Sequence, residues 1–385
     1  VDARACVLTL QSTFGDRLGP WGLEAIADVR LSPAMHDLYM EDFPRAFADP
    51  ELRRRLVVIG PNDYFYKWRG DELAFFEDTP LAPMLELVEP RYAAGAVLEG
   101  KVSGLPLGGG NHQLLFINRS LTEVVPESFD ELMAEAWRLR NDNVLLWPFV
   151  YPTNACYFTL PLLYGLGAPL WSDPERPDVG ITRKALRALL EMHRALMYDD
   201  IMLPVKWEQY HAVAELQTRR AAFCFGGDWD IRSHQQALGD DLVIAPIPAL
   251  TRPCRSTASC SYLYVSAELD PACLGSVRQV AELLLSEPVQ LSMARDLYRN
   301  PARVGMAEQM ASVAPAGPED PNLRQSREVF ESAVFLPPYR ILSHIYHVLA
   351  DLFEPGVMVR YQLAELLDRA MEKMQDVDSP ITIRP

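Results

Sequence analysis

The chain has 385 residues, 49% hydrophobic and 23% charged, the makeup of a globular protein too long for one ordinary hydrophobic core. Its formal charge of −16 argues against nucleic acid and against an anionic lipid surface, since both are bound through surplus Lys and Arg. Neutral or cationic small molecules stay compatible with it. The longest uncharged stretch, 143–172, is interrupted by Pro148, Pro152, Pro161 and Pro169. Each proline removes a backbone donor and crowds the preceding turn, so the stretch reads as a buried loop feeding a short helix and not as a membrane span. The first residues, Val1-Asp-Ala-Arg-Ala-Cys6, lack the basic start and apolar core of a signal peptide. This leaves open an exported protein whose leader is trimmed from this sequence, and one that stays in the cytoplasm.

In chain order, 7–10 is short, apolar and rich in strand formers, and a polar turn over 11–16 follows it. A clearer buried strand covers 55–60. Between them, 36–55 reads as irregular helix broken near Pro44 and Pro50. Strand, helix and strand in alternation predict a parallel sheet, and open α/β sheets bind ligands in the loops after the carboxyl ends of such strands. That rule puts 11–16, with Thr13 and Phe14, and 62–66, with Asn62, Asp63, Tyr64 and Tyr66, at one rim of a crevice.

Further along, 112–118 reads as a long strand and 128–139 as an amphipathic helix, with Ser128 as N-cap and Glu131 three residues on. A strong helix over 182–197 carries Leu186, Leu189, Leu190 and His193 on one face; 205–217 is a weaker helical stretch. The strand 221–225 is followed by Gly226-Gly227, which releases the chain into a helix starting near Asp228, where a carboxylate suits the positive end of a helix. Another strand covers 261–266, and helices cover 277–285, 341–352 and 361–374. The stretch 314–321 is a Pro/Gly-rich linker, and the chain has no internal repeat.

The cysteines at 6, 156, 224, 254, 260 and 273 include no Cys-x-x-Cys pair, so structural zinc is not expected. Whether Cys254 and Cys260 bridge stays open, because spacing alone does not set disulfide geometry. Unpaired thiols argue modestly against export. The chain lacks a Gly-x-Ser-x-Gly elbow, a Gly-Lys-Ser/Thr phosphate loop and a His-Glu-x-x-His metal motif. Asp228 and Asp230 stand too close in one turn to straddle a glycosidic bond. No catalytic residue, cofactor or metal is expected.

Four phrases stand in a particular order: Gly104-Leu-Pro-Leu-Gly-Gly-Gly-Asn-His-Gln-Leu-Leu-Phe-Ile-Asn118, Pro126-Glu-Ser-Phe-Asp-Glu-Leu132, Arg219-Arg-Ala-Ala-Phe-Cys-Phe-Gly-Gly-Asp-Trp-Asp230 and Leu242-Val-Ile-Ala-Pro-Ile-Pro248. In this order and spacing the chain resembles the family 1 extracellular solute-binding proteins, the maltose-binding-protein-like receptors with the periplasmic binding protein type 2 fold. The resemblance covers the chain from about Asp63 onward. It implies an α/β protein of two lobes, a ligand cleft between them and several hinge crossings, near 108–113, 257–261 and 301–306. Lobe one would hold 1–111 and 258–305, and lobe two 112–257 and 306–385. The triple glycine at 108–110 suits a crossing, though a simple surface turn fits it as well.

The same resemblance assigns site residues. The phrase Cys156-Tyr-Phe-Thr-Leu-Pro-Leu162 is similar to the family's cleft-lining phrase, which makes Tyr157 a ligand contact. The acidic residue common before it in maltose receptors is replaced by Ala155, which counts against a maltodextrin. Gly226-Gly-Asp-Trp229 resembles the glycine-rich turn that presents an aromatic to the ligand, so Trp229 is the leading contact and Asp228 accompanies it. A core tryptophan anchoring the helix start fits the same residue. Asp63 matches a ligand carboxylate of lobe one, Tyr339 and Arg340 stand where a late contact of lobe two is placed, and His112 falls at the first crossing.

The function implied is a receptor that binds a sugar or polyol and passes it, unaltered, to the membrane subunits of an ABC importer. It would be a monomer, periplasmic or extracellular, without nucleic acid or membrane insertion. Two other readings stay open: the cytoplasmic sensing domain of a transcriptional regulator with the same fold, and a carbohydrate-active enzyme.

Overall fold

The computed structural model describes residues 6–11, 19–32, 42–62, 72–98, 100–153, 155–168, 171–173, 176–199, 201–205, 211–306, 320–336 and 340–375. The chain divides into two compact units. One comprises Val1–Asn111, Ser259–Pro318 and Phe335–Pro338, the other His112–Ala258, Glu319–Val334 and Tyr339–Pro385. The brief return to the first unit around residue 335 has no counterpart in the sequence reading.

In the first unit the strands lie, among the described residues, in the order Asn300–Pro301, Gly104–Gly110, Thr257–Val265, Leu56–Pro61, Val7–Gln11 and Asp28–Ser32, with Val334–Phe335 added beside Thr257–Val265. Val7–Gln11 is parallel to both its neighbours, as the alternation of strand and helix predicts for 7–10 and 55–60. Thr257–Val265 runs antiparallel to Leu56–Pro61 and to Gly104–Gly110. The helix Leu274–Leu284 lays Val277, Val280, Ala281 and Leu284 against Leu8, Val57, Ile59, Leu105 and Leu263 of the sheet. These positions repeat at three and four residues, one stripe of a helix, and burying each larger side chain contributes about 1.5–3 kcal/mol.

The strand Asp28–Ser32 was not foreseen. It sits at the sheet edge, where Asp28 and Arg30 are exposed and Leu31 remains 45% exposed, so it shows neither a hydrophobic run nor a buried alternation. The triple glycine is not a surface turn: Gly108, Gly109 and Gly110 are buried ladder residues of Gly104–Gly110. The left-handed residue is the next one, Asn111, at φ 50°, where the first unit's opening segment ends.

In the second unit the sheet order is Met202–Val205, Phe149–Pro152, Phe223–Gly227, Gln113–Asn118 and Leu242–Ala245. The first three are parallel to one another, and Gln113–Asn118 is antiparallel to both its neighbours. Helix Phe129–Asn141 begins with the predicted capping box: Ser128 Oγ accepts from the Glu131 amide at 3.2 Å, and the Glu131 carboxylate accepts from the Ser128 amide. Helix Arg183–Tyr198 is capped by Thr182 and buries Leu186, Leu189, Leu190 and His193, the face expected for it. The uncharged stretch 143–172 does hold a short helix, Leu160–Gly165, but also the buried strand Phe149–Pro152, which its bracketing prolines had hidden.

All six cysteines are free, so Cys254 and Cys260 do not bridge. Among the described residues no helix is long and apolar enough to cross a membrane, and no group of three His, Cys, Asp or Glu is placed to hold a metal ion.

Candidate functional site

In the second unit Trp229, Tyr157, Phe158 and Tyr346 gather beyond the end of strand Phe223–Gly227. That strand finishes in two buried glycines and passes into the tight turn Asp228–Asp230. Both glycines are required by close approach. A Cβ on Gly226 would press on the Phe116 ring and stand 3.3 Å from Asp230 Oδ2. A Cβ on Gly227 would overlap the Trp229 indole, which folds back over its own turn.

Trp229 stays partly exposed and stands 6.0 Å from Tyr157, the planes tilted by 44°, and 6.1 Å from Phe158. Tyr157 and Phe158 come from the short turn Cys156–Phe158; Tyr157 is half-buried and Phe158 buried. Tyr346, from helix Arg340–Leu352, meets the Tyr157 ring edge-on at 6.4 Å. Ring pairs at these separations contribute about 0.5–1.5 kcal/mol each beyond burial. The result is a compact group of aromatic side chains with two of its largest rings, Tyr157 and Trp229, still accessible.

Polar groups flank it. Asp228 and His112 are fully buried: the Asp228 amide donates to the His112 carbonyl at 3.0 Å, Asp228 Oδ2 lies 3.6 Å from His112 Nδ1, and His112 Nε2 lies 3.0 Å from Ser326 Oγ. Serine, histidine and carboxylate follow one another in the order of a hydrolytic triad, but His112 Nδ1 and Asp228 Oδ2 stand beyond hydrogen-bond distance. Here Ser326 is 1% exposed, so no substrate carbonyl reaches its hydroxyl. Asp230 accepts from the Gly227 amide at 3.4 Å. Burial pushes its carboxyl up to about 7, the Gly227 hydrogen bond opposes that rise, and the charge of Asp228 adds to it. The carboxyl next in sequence to the indole is thus held well above the ordinary carboxylate range.

Gln113 opens its strand fully buried, and its amide uses both ends. Nε2 donates to the Tyr157 carbonyl at 2.9 Å and to Thr257 Oγ1 at 2.7 Å, while Oε1 accepts from the Thr257 amide at 2.8 Å. In the first unit, Asn62 is buried at the end of Leu56–Pro61 and donates from Nδ2 to the carbonyls of Gly95 and Leu336, both at 2.7 Å.

Of the residues singled out in the sequence, Trp229, Tyr157, Asp228 and His112 are thus brought together, and Asn62 lies in the first unit. Thr13, Phe14, Asp63 and Tyr339 lie outside the described residues, as does the Arg340 side chain. Phe158, Tyr346, Gln113 and Thr257 were missed. Phe158 stood beside Tyr157 in a quoted phrase. Tyr346 carried no local signal, and Gln113 and Thr257 are 144 residues apart.

Residues 57–325, well over half the chain, match the family described as bacterial extracellular solute-binding protein. No curated protein sequence matches. Among solved structures the chain is similar to the maltose/maltodextrin-binding domain MalE from Bdellovibrio bacteriovorus bound to maltotriose, with a TM-score of 0.80 over 98% of this chain and 100% of that one. The identity is 18%, so the likeness is one of fold, the two-lobed α/β fold of binding proteins.

Proposed function

The chain belongs to the bacterial extracellular solute-binding proteins, a family of binding proteins and not of enzymes, and from that membership we propose a receptor for a carbohydrate or other polyhydroxylated solute that serves an ABC-type importer. One observation carries the choice of solute: Trp229 and Tyr157 stand partly exposed, 6.0 Å apart, with the Asp230 carboxyl next in sequence to the indole. Flat aromatic faces stack on the C–H faces of sugar rings, and a few placed polar groups take the hydroxyls. A neutral solute fits better than an anion, because Asp228 and Asp230 flank the indole in sequence and any charge that either carries opposes a buried anion. The maltotriose in the similar Bdellovibrio protein supports a saccharide for this chain as well. Ala155, in place of the acidic residue of maltose receptors, argues for a solute other than a maltodextrin.

In this reading Trp229 and Tyr157 touch the solute, Asp230 accepts from or donates to a hydroxyl, and His112 and Asp228 hold the turn from behind. Thr13, Phe14, Asn62, Asp63, Tyr339 and Arg340 remain candidates for further contacts. The protein works outside the cytoplasmic membrane. A thermal-shift screen of neutral saccharides and polyols against sugar phosphates and amino acids tests this. Stabilisation by neutral compounds, lost in Trp229→Ala, is expected; stabilisation confined to anions would overturn the choice of solute. The free state of all six thiols favours one alternative, a cytoplasmic sensing domain of the same fold, which cell fractionation separates from the receptor.

A further inference from the structure

We propose that Gln113 is a positioning residue that fixes Tyr157 for stacking before any solute arrives, an inference that rests on the reading of Tyr157 as a solute contact. Gln113 is the first residue of its strand and pairs in register with Gly227, the glycine under the Trp229 indole. The backbone of one aromatic turn and the side chain that organises the other are therefore neighbours across a single ladder step.

The clasp has three parts. Gln113 Nε2 holds the Tyr157 carbonyl and Thr257 Oγ1. Thr257 returns its amide hydrogen to Gln113 Oε1. The Tyr157 phenol donates to the Thr257 carbonyl at 3.4 Å, so both the backbone and the ring tip of Tyr157 are tied to the same pair of residues. Ser256 Oγ adds a bond to the Gln113 carbonyl at 2.7 Å. The amide can face only one way: Oε1 must meet the Thr257 donor and Nε2 the Tyr157 carbonyl, and a flip would set like groups against each other at both contacts. Within the turn the Phe158 amide donates to the Ala155 carbonyl and the Thr159 amide to the Cys156 carbonyl, both local bonds. The buried Gln113 amide, with its donors and acceptor matched, adds a tie from outside the turn, and a ring already ordered loses less freedom on stacking.

Hydrogen exchange on the intact, solute-free protein tests the clasp. In Gln113→Met, which keeps the chain length without the amide, backbone amides 155–159 should exchange about tenfold faster. Helix Arg183–Tyr198 should keep its protection, and Thr257→Ser, which retains hydroxyl and amide, should behave as the unmodified protein. Unchanged exchange at 155–159, or an equal rise throughout the second unit, overturns the proposal. A double-mutant cycle then uses maltotriose, or whichever neutral saccharide shifts the melting temperature. Gln113→Met should weaken binding about tenfold with Tyr157 present and little further in Tyr157→Ala; additive losses would contradict action through Tyr157. If no saccharide binds, the solute reading falls while the exchange arm still decides the clasp.

Discussion

Trp229 lies so close over Gly227 that a Cβ on the glycine would stand 2.3 Å from the indole, so that one of the two would have to move. The close approach also gives the Gly-Gly-Asp-Trp phrase a physical meaning: the first glycine clears Phe116 and Asp230, the second clears the tryptophan.

Gly227→Ala should therefore displace the indole. A loss of about 1–3 kcal/mol of stability is expected, the cost of overpacking a tight site, together with weaker solute binding. Gly275→Ala is the control. It lies in helix Leu274–Leu284 with open space around it, so alanine should stabilise by about 0.5–1 kcal/mol. Denaturant melts of both variants check the pair; equal effects would count against the packing account.

Trp229→Ala should cost about 2–4 kcal/mol of solute binding, the scale of a central aromatic contact. Calorimetry on protein shown to be folded by circular dichroism makes the measurement. Unchanged affinity would leave Trp229 as a core residue only.

The pH response of the second unit should contain two opposing parts. Asp230 titrates higher folded than the ordinary carboxyl value of 3.8. Its stabilising contribution is complete at pH values below the unfolded value and is lost as pH rises through about 7. His193 and His234 run the other way. Burial lowers His193 to about 3 and His234 to about 4, so their contribution is present above the unfolded value of 6.5 and is lost as pH falls toward those numbers. Asp230→Asn should thus gain on the unmodified protein as pH rises from 4 toward 7. His234→Leu should lose the share of the acid sensitivity below 6.5 that His234 contributes, since His234 packs on Phe116 at 4.5 Å and neither ring nitrogen has a partner among the described residues. Parallel stability–pH curves for all three proteins would contradict both assignments.

Ser128→Ala should cost about 1 kcal/mol, because it opens the capping box at the start of Phe129–Asn141. A chemical denaturation midpoint reports it, and no change would mean the helix is held by packing alone.

What could be read from the sequence was local. Ser128 and Glu131 sit three residues apart, and the face Leu186, Leu189, Leu190 and His193 repeats with the helix, so both helices were legible. The strand Phe149–Pro152 was not, because Pro148 and Pro152 read as breaks while the structure places them at its ends. Asp28–Ser32 was missed for the opposite reason, since an edge strand needs no apolar face. At the site, the aromatic of each short phrase was legible, but the bonds that aim it were not. Gln113 meets Thr257 across 144 residues of sequence, each at the start of its own strand, and no local pattern records that. The paired carboxyls around Trp229 were visible as residues; that Asp228 is buried against His112, and that burial raises the Asp230 carboxyl, depends on the fold.

The most direct test of the account is isothermal titration of the purified, unmodified protein with neutral saccharides taken from the thermal-shift screen, followed by analysis of the recovered ligand. Saturable binding of a neutral polyhydroxylated compound is expected, weakened strongly in Trp229→Ala, with the ligand recovered unchanged. Binding restricted to phosphorylated or carboxylated compounds would contradict the proposed solute, and recovery of a cleaved or modified product would contradict a receptor.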